Sequence, residues 1–200
     1  MQTIELIYDF GSPNAYLMHK VLPGLAQRAG AELRYTPVLL GGIFKETNNQ
    51  SPFQAFANVK FKLNYMTTEI QRFIARHDVA FQMNPHFPVM TIGVMRGAVF
   101  AQGKPWEQTY IDTVFDAIWV HGKKMDDPAV IAQVLSAADL PAQDIMAATQ
   151  TPDVKQGLID LTAGAVARQV FGAPTMFVGD EMFFGKDSLS DLEYTLMQNA

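Results

Sequence analysis

The chain contains no cysteine, so it can supply no disulfide, no thiolate nucleophile and no thiolate metal ligand of its own. It has no apolar run near the ~20 residues that a membrane-spanning helix needs. No block of five or more like charges marks a disordered charged tail. The N-terminus enters a strand-like pattern at once, without the basic segment, apolar stretch and cleavage site of a secretory signal. Cytoplasm is therefore the expected location, although a cysteine-free chain carries no record of its redox compartment. A net charge of −5 over 200 residues is the wrong sign for a nucleic-acid partner. No Gly-x-Ser-x-Gly elbow, P-loop or Gly-x-Gly-x-x-Gly is present. The four histidines, His19, His77, His86 and His121, lack the spacing of a zinc site, so no metal is expected and most read as surface or satisfied structural residues.

What is present reads as an α/β chain. Two hundred residues suit one domain, or a domain carrying a large insertion. Ile4 to Phe10 is a strand. From about Pro13, Tyr16, Leu17, Val21, Leu22, Leu25 and Ala26 recur at helical spacing until Gly30, and Ala31 to Leu40 reads as a second strand bounded by Gly41-Gly42. Such a βαβ crossover places its strands parallel in one sheet. The middle loses strand character: residues 60–77, a segment following Pro105 with Tyr110, Ile111, Val114, Phe115 and Ile118, then 128–138 and 153–170 all show helical patterns. Residues 174–178 and 181–185 form two short strands around Gly179-Asp180, and Ser188 to Met197 is a closing helix. The order βαβ-ββα is the thioredoxin layout. The expected organisation is a discontinuous thioredoxin-like domain, residues 1–40 and 161–200, with an all-helical domain, residues 41–160, inserted in it. The eleven methionines are scattered over apolar faces and read as core filling.

Two junctions carry the chemistry. In "YDFGSPNAY" a strand runs into a helix through Ser12-Pro13, where serine is a favoured N-cap and proline a favoured first residue. Asp9, Ser12 and Pro13 are accounted for by capping alone. The same position also suits an anion, because a helix N-terminus presents unpaired N–H groups and partial positive charge, and a hydroxyl adds a donor. A thiol brought there by a ligand would be favoured as thiolate, as cysteines at such positions are. Pro174 in "FGAPT" is either a simple strand-opening proline or the site of a cis Ala173–Pro174 bond; resemblance to thioredoxin folds implies that such a proline faces the start of the first helix and leaves the preceding backbone free to pair with a bound peptide.

With these residues in place the chain resembles the 2-hydroxychromene-2-carboxylate isomerases and the related kappa-class glutathione transferases, on the DsbA-like branch of the thioredoxin fold. The resemblance covers nearly the full length, through "YDFGSPNAYL", "PVLLGGIFKETNNQSP", "KFKLNYMTTEIQRF" and "FGAPTMFVGDEMFFGKDSL". It implies glutathione as cofactor, with Ser12 hydrogen-bonded to its sulfur. Asn49 would lie near its glycyl end, Lys62 close to the ligand, the Ala173 backbone before Pro174 against its cysteinyl part, and Asp187 and Ser188 on its γ-glutamyl group. Lys62, Tyr65 and Glu69 are otherwise one solvated helix face; Lys45, Tyr65 and His86 are candidate substrate contacts. The resemblance further implies an isomerase of aromatic catabolism, acting on a small aromatic acid, and a homodimer. Two departures concern this pocket: family members often carry arginine at the position of Ser188, and the isomerases tend to have asparagine where "FPVMT" has Met90. The rivals are a transferase or peroxidase that consumes glutathione, and a cysteine-free DsbA-like binding module.

Overall fold

The computed structural model describes residues 1–198; the last two residues of the C-terminal segment lie outside the described residues. Strand β1 (Thr3–Tyr8) leads into α1 (Pro13–Ala29) and β2 (Glu32–Pro37). Eight helices follow: α2 (Leu40–Glu46), α3 (Pro52–Ala55), α4 (Lys62–His77), α5 (Ile92–Ala101), α6 (Glu107–Trp119), α7 (Pro128–Ala137), α8 (Ala142–Ala148) and α9 (Pro152–Ala167). The chain closes with β3 (Thr175–Val178), β4 (Glu181–Phe184), a 3-10 turn (Lys186–Ser188) and α10 (Leu189–Gln198). The sheet has the order β2-β1-β3-β4, with β1 parallel to β2 and antiparallel to β3, and β3 antiparallel to β4. This is the DsbA-like thioredoxin sheet that the βαβ-ββα pattern implies.

Side chains on β1 alternate between two cores, as the two-residue period of a strand demands. Ile4, Leu6 and Tyr8 join the larger cluster, which takes in Leu17 and Leu22 of α1 and also Phe115 and Trp119 of α6. Ile7 falls on the other face with Val38, Ile43, Ala165, Val170 and Phe177, under α2 and α9. The larger core is thus shared between the sheet and the helices that interrupt it, and α9 spans residues 160 and 161, where the expected domain boundary falls.

Four helices lie where the pattern gives none: α2, α3, α5 and α8. Gly41-Gly42 is not a strand boundary; β2 stops at Pro37 and both glycines are inside α2. A Cβ on Gly42 would stand 3.0 Å from Thr162 Cγ2, so the missing side chain lets α2 pack closely on α9. In α5, Gly97 lies under the Tyr110 ring, and a Cβ there would come within 2.1 Å of the phenol oxygen, which donates to Val94 O at 2.7 Å. Small residues chosen for contact across helices blur the apolar periodicity on which sequence reading depends.

Candidate active site

The turn between β1 and α1 has nearly all its polar groups engaged. Ser12 N–H donates to Asp9 O at 3.0 Å, and Gly11 N–H to Asp9 Oδ1 at 2.8 Å. The peptide of Phe10 is held from the helical region: its N–H donates to Met95 Sδ at 3.4 Å, and its carbonyl accepts from Trp119 Nε1 at 2.8 Å. Asp9 is buried, and it does not cap α1. Its carboxylate accepts from Thr91 Oγ1 at 2.7 Å and from Leu40 N–H, the first residue of α2, at 2.8 Å. Burial pushes this carboxyl above its ordinary range, against the three hydrogen bonds that pull it down. Asp9 therefore ties the turn to the starts of α2 and α5 at once.

Ser12 is the N-cap of α1: its Oγ accepts from Ala15 N–H at 3.2 Å, and Pro13 fills the first helical position. Its own proton goes elsewhere. Ser12 Oγ–H donates to Ala173 O at 2.9 Å, across 161 residues, and the Ala173–Pro174 bond is cis. The two junctions singled out in the sequence are thus in direct contact. Gly185 N–H donates to Pro174 O at 2.9 Å, and the Ser188 hydroxyl donates to Gly185 O at 2.9 Å, so the proline loop is joined to the turn before α10. From the other side Asn49 Nδ2 donates to Phe171 O at 2.8 Å. Asp187 is paired with the ammonium of Lys186.

The remaining candidates stand apart from this network among the described contacts. Lys62 lies 5.3 Å from the Phe56 ring centroid and 5.9 Å from that of Tyr65. Lys45 is exposed in the last turn of α2, and His86 is exposed in a loop where its N–H donates to Asn84 Oδ1 at 2.8 Å. Met90 is exposed.

Asp9, Thr91, Asn14 and Lys186 were not singled out by site reasoning on the sequence. Asp9 could have been found as an acid at the apolar end of a strand, where burial is the rule. Asn14 is in the first turn of α1, and its Oδ1 is buried without a partner. Thr91 and Lys186 depend on tertiary contacts that no local pattern announces.

A separate groove of about 650 Å³ is lined by His19, Lys20, Tyr35, Gln108 and Asp112 and does not include Ser12. His19 is satisfied there, with Nδ1 2.9 Å from Tyr35 Oη and Nε2 3.0 Å from Asp112 Oδ1. Burial tends to raise the Asp112 carboxyl, but its hydrogen bonds to His19 and Gln108 prevail and hold it below the ordinary value. Among the described residues no group of three metal-ligating side chains could hold an ion, and no helix is long and apolar enough to cross a membrane.

A serine-capped helix facing a cis-proline loop, with a helical region inserted in the sheet, defines a class: the profile of the DSBA-like thioredoxin domain matches residues 3–197. The chain belongs to this family, on the branch of the 2-hydroxychromene-2-carboxylate isomerases. It is 31% identical to a 2-hydroxychromene-2-carboxylate isomerase of Pseudomonas putida, over 95% of this chain and 92% of that one. It is 28% identical to glutathione S-transferase kappa 1 of Rattus norvegicus, over 98% of this chain and 91% of that one. A solved 2-hydroxychromene-2-carboxylate isomerase superposes with a TM-score of 0.87 at 26% identity, covering 98% of this chain and 95% of the other.

Proposed function

We propose that this protein is a glutathione-dependent isomerase that interconverts a 2-hydroxychromene-2-carboxylate-type hemiketal and trans-o-hydroxybenzylidenepyruvate. The observation that carries the reading is the Ser12 hydroxyl, placed at the N-terminus of a 17-residue helix and turned toward the carbonyl before Pro174, in a chain with no thiol of its own. The donor set fits a tripeptide thiol. The hydroxyl and the helix terminus suit a sulfur anion, the unpartnered Asn14 Oδ1 suits a donor, and the exposed Asp187 carboxylate suits an ammonium. Ser12, Asn49, Lys62, Ala173, Pro174, Asp187 and Ser188 would hold glutathione; Lys45, Tyr65 and His86 would meet the aromatic acid.

Bound glutathione would supply a thiol nucleophile for reversible addition to the conjugated carbon of the ring-opened acid, and would be regenerated in the cycle. Ser12 has one hydroxyl proton, and Ala173 O takes it here. Turning that proton outward lets the hydroxyl donate to a sulfur anion while Ala15 N–H still donates to Oγ, so the peptide dipoles of α1 act through the hydroxyl. The same rotation frees Ala173 O to accept an N–H from a bound backbone. One torsion thus opens both contacts, while the hydrogen bonds to Asp9 and Phe10 keep the turn fixed.

The test is calorimetric titration with glutathione, followed by ultraviolet assay of hemiketal and benzylidenepyruvate acids with free thiol counted throughout. Isomerisation with thiol conserved is the expected result. The full-length likeness to a kappa transferase favours a second reading, in which free thiol falls as an electrophile is conjugated or a peroxide reduced. No glutathione binding at millimolar concentration would remove both readings and leave a cysteine-free binding module.

A further inference from the structure

The segment that joins α2 to α4 is a strap fastened on both sides of Ser12. Residues 49–60 contain no buried residue, and α3 is one short turn within them. Among the described residues, their backbone hydrogen bonds stay within residues 44–62. Their side chains reach beyond those limits in one hydrogen bond, Asn49 Nδ2 to Phe171 O at 2.8 Å, and one ring contact, Phe53 to Phe87 with centroids 4.9 Å apart. The first anchor is on the proline loop, two residues before Ala173, whose carbonyl accepts from Ser12. The second is on the helical side. There the Phe87 ring lies 6.0 Å from that of Trp119, whose indole N–H donates to Phe10 O in the Ser12 turn. The strap is bracketed by two left-handed residues, Asn48 with φ 52° and Phe61 with φ 69°. Asparagine tolerates this backbone and ends helices in it. Phe61 is a different case: it is 70% exposed, and among the described non-glycine residues at positive φ it is the only apolar one. For so bulky a side chain the conformation is strained.

Resting on the glutathione reading above, we propose that residues 49–60 are a lid over the Ser12 site, hinged at Asn48 and Phe61 and latched by Asn49 on Phe171 O and by Phe53 on Phe87. Releasing the two latches frees the whole segment, because its other hydrogen bonds are local and travel with it. Rotation at Phe61 relieves the left-handed strain of the latched form. Two candidate ligand residues move with the lid: Asn49 lies inside it, and Lys62 follows its second hinge. Open, the lid admits a tripeptide thiol between the proline loop and the helical region. Closed, it keeps bulk water from that thiol. Its signature is therefore in the rates of ligand entry and release, which a required conformational change slows.

Because the chain has no cysteine, the double variant Phe53→Cys/Phe87→Cys can be tethered at those two positions alone with a short bis-maleimide. S-methylglutathione, which carries no free thiol, is the probe, and its binding and release are followed by stopped-flow tryptophan fluorescence. The tether should slow both steps by at least about ten-fold relative to the same variant untethered. Phe53→Ala, which removes one latch, should speed release. Equal rates with and without the tether overturn the proposal. Hydrogen exchange on the free wild type is the second measurement. The N–H groups of Gln54, Ala55, Phe56 and Val59 should exchange together, at least about a hundred-fold faster than those joining β1 to β3. Protection equal to that of the sheet overturns the lid, even where the double variant fails to fold. A wild type that binds no S-methylglutathione sinks the glutathione reading instead, while exchange still decides whether the strap opens, so the two failures are distinguishable.

Discussion

Ser12→Ala perturbs two things that can be measured separately. It removes the acceptor for Ala15 N–H and the donor to Ala173 O, so α1 loses its side-chain cap and its tie to the proline loop. A lost cap costs about 1 kcal/mol, and a lost hydrogen bond of the second kind about 1 kcal/mol more. Together they should lower the melting temperature by roughly 4–8 °C for a chain of this size. The catalytic effect has a different signature. A hydroxyl donating to a thiolate is a charge-assisted hydrogen bond worth about 1.5–3 kcal/mol, which raises the pKa of the bound thiol by about 1–2 units when removed. Below both pKa values the thiolate fraction then falls by about 10- to 100-fold. Above the raised value it recovers fully. Turnover at saturating glutathione, followed from about pH 6 to about pH 9.5, should show a deficit that shrinks steadily as pH rises. The pH midpoint at which the ultraviolet absorbance of the bound thiolate appears should rise by the same amount. A deficit of constant size across that range would refute the role of Ser12 as a thiolate donor, even with the expected loss of stability.

Three further substitutions probe the frame around the site. Asp9→Asn presents an amide N–H₂ to at least one of three donors and should cost about 1–3 kcal/mol in urea unfolding at neutral pH. Because burial raises the Asp9 carboxyl above 3.8, the folded state binds a proton that the unfolded state does not, between that raised value and 3.8. Wild-type stability relative to Asp9→Asn should therefore grow as pH falls through this window and level off below it; a gap that narrows on acidification would contradict the assignment. Gly97→Ala drives a methyl group into the buried Tyr110 phenol and should destabilise by about 2–4 kcal/mol, read as a lower melting temperature. Gly93→Ala, four residues earlier on the same helix with no atom within 4 Å of the added Cβ, should be neutral or gain up to about 1 kcal/mol.

What was legible in the sequence was whatever local chemistry fixes. Ser12-Pro13 and Gly30 bound α1 because capping and left-handed backbone are properties of single residues, and the hairpin around Gly179 is announced by its turn. The periodic faces of α4, α6, α7 and α9 were visible for the same reason. Helices α2 and α5 were not, since Gly41, Gly42, Gly93 and Gly97 are poor helix formers on propensity; Gly42 and Gly97 pack against partners 120 and 13 residues away in the chain, and that advantage has no local trace. The site divides along the same line. Ser12 and Pro174 can each be picked out alone, but their contact is a product of β1 lying beside β3 in antiparallel register. The part least visible from sequence is the set of tertiary contacts that fix the Ser12 turn. An active-site cysteine must be reached by its partner, whereas on the glutathione reading proposed above Ser12 would only have to hold an anion that arrives on a ligand. Position then matters more than reactivity, and position here is set by Asp9, Met95, Trp119 and Thr91 from four elements or loops. Those four side chains hold the turn through its buried polar groups, any of which would be left unpaired if the contact were broken, and so fix where the capping serine stands.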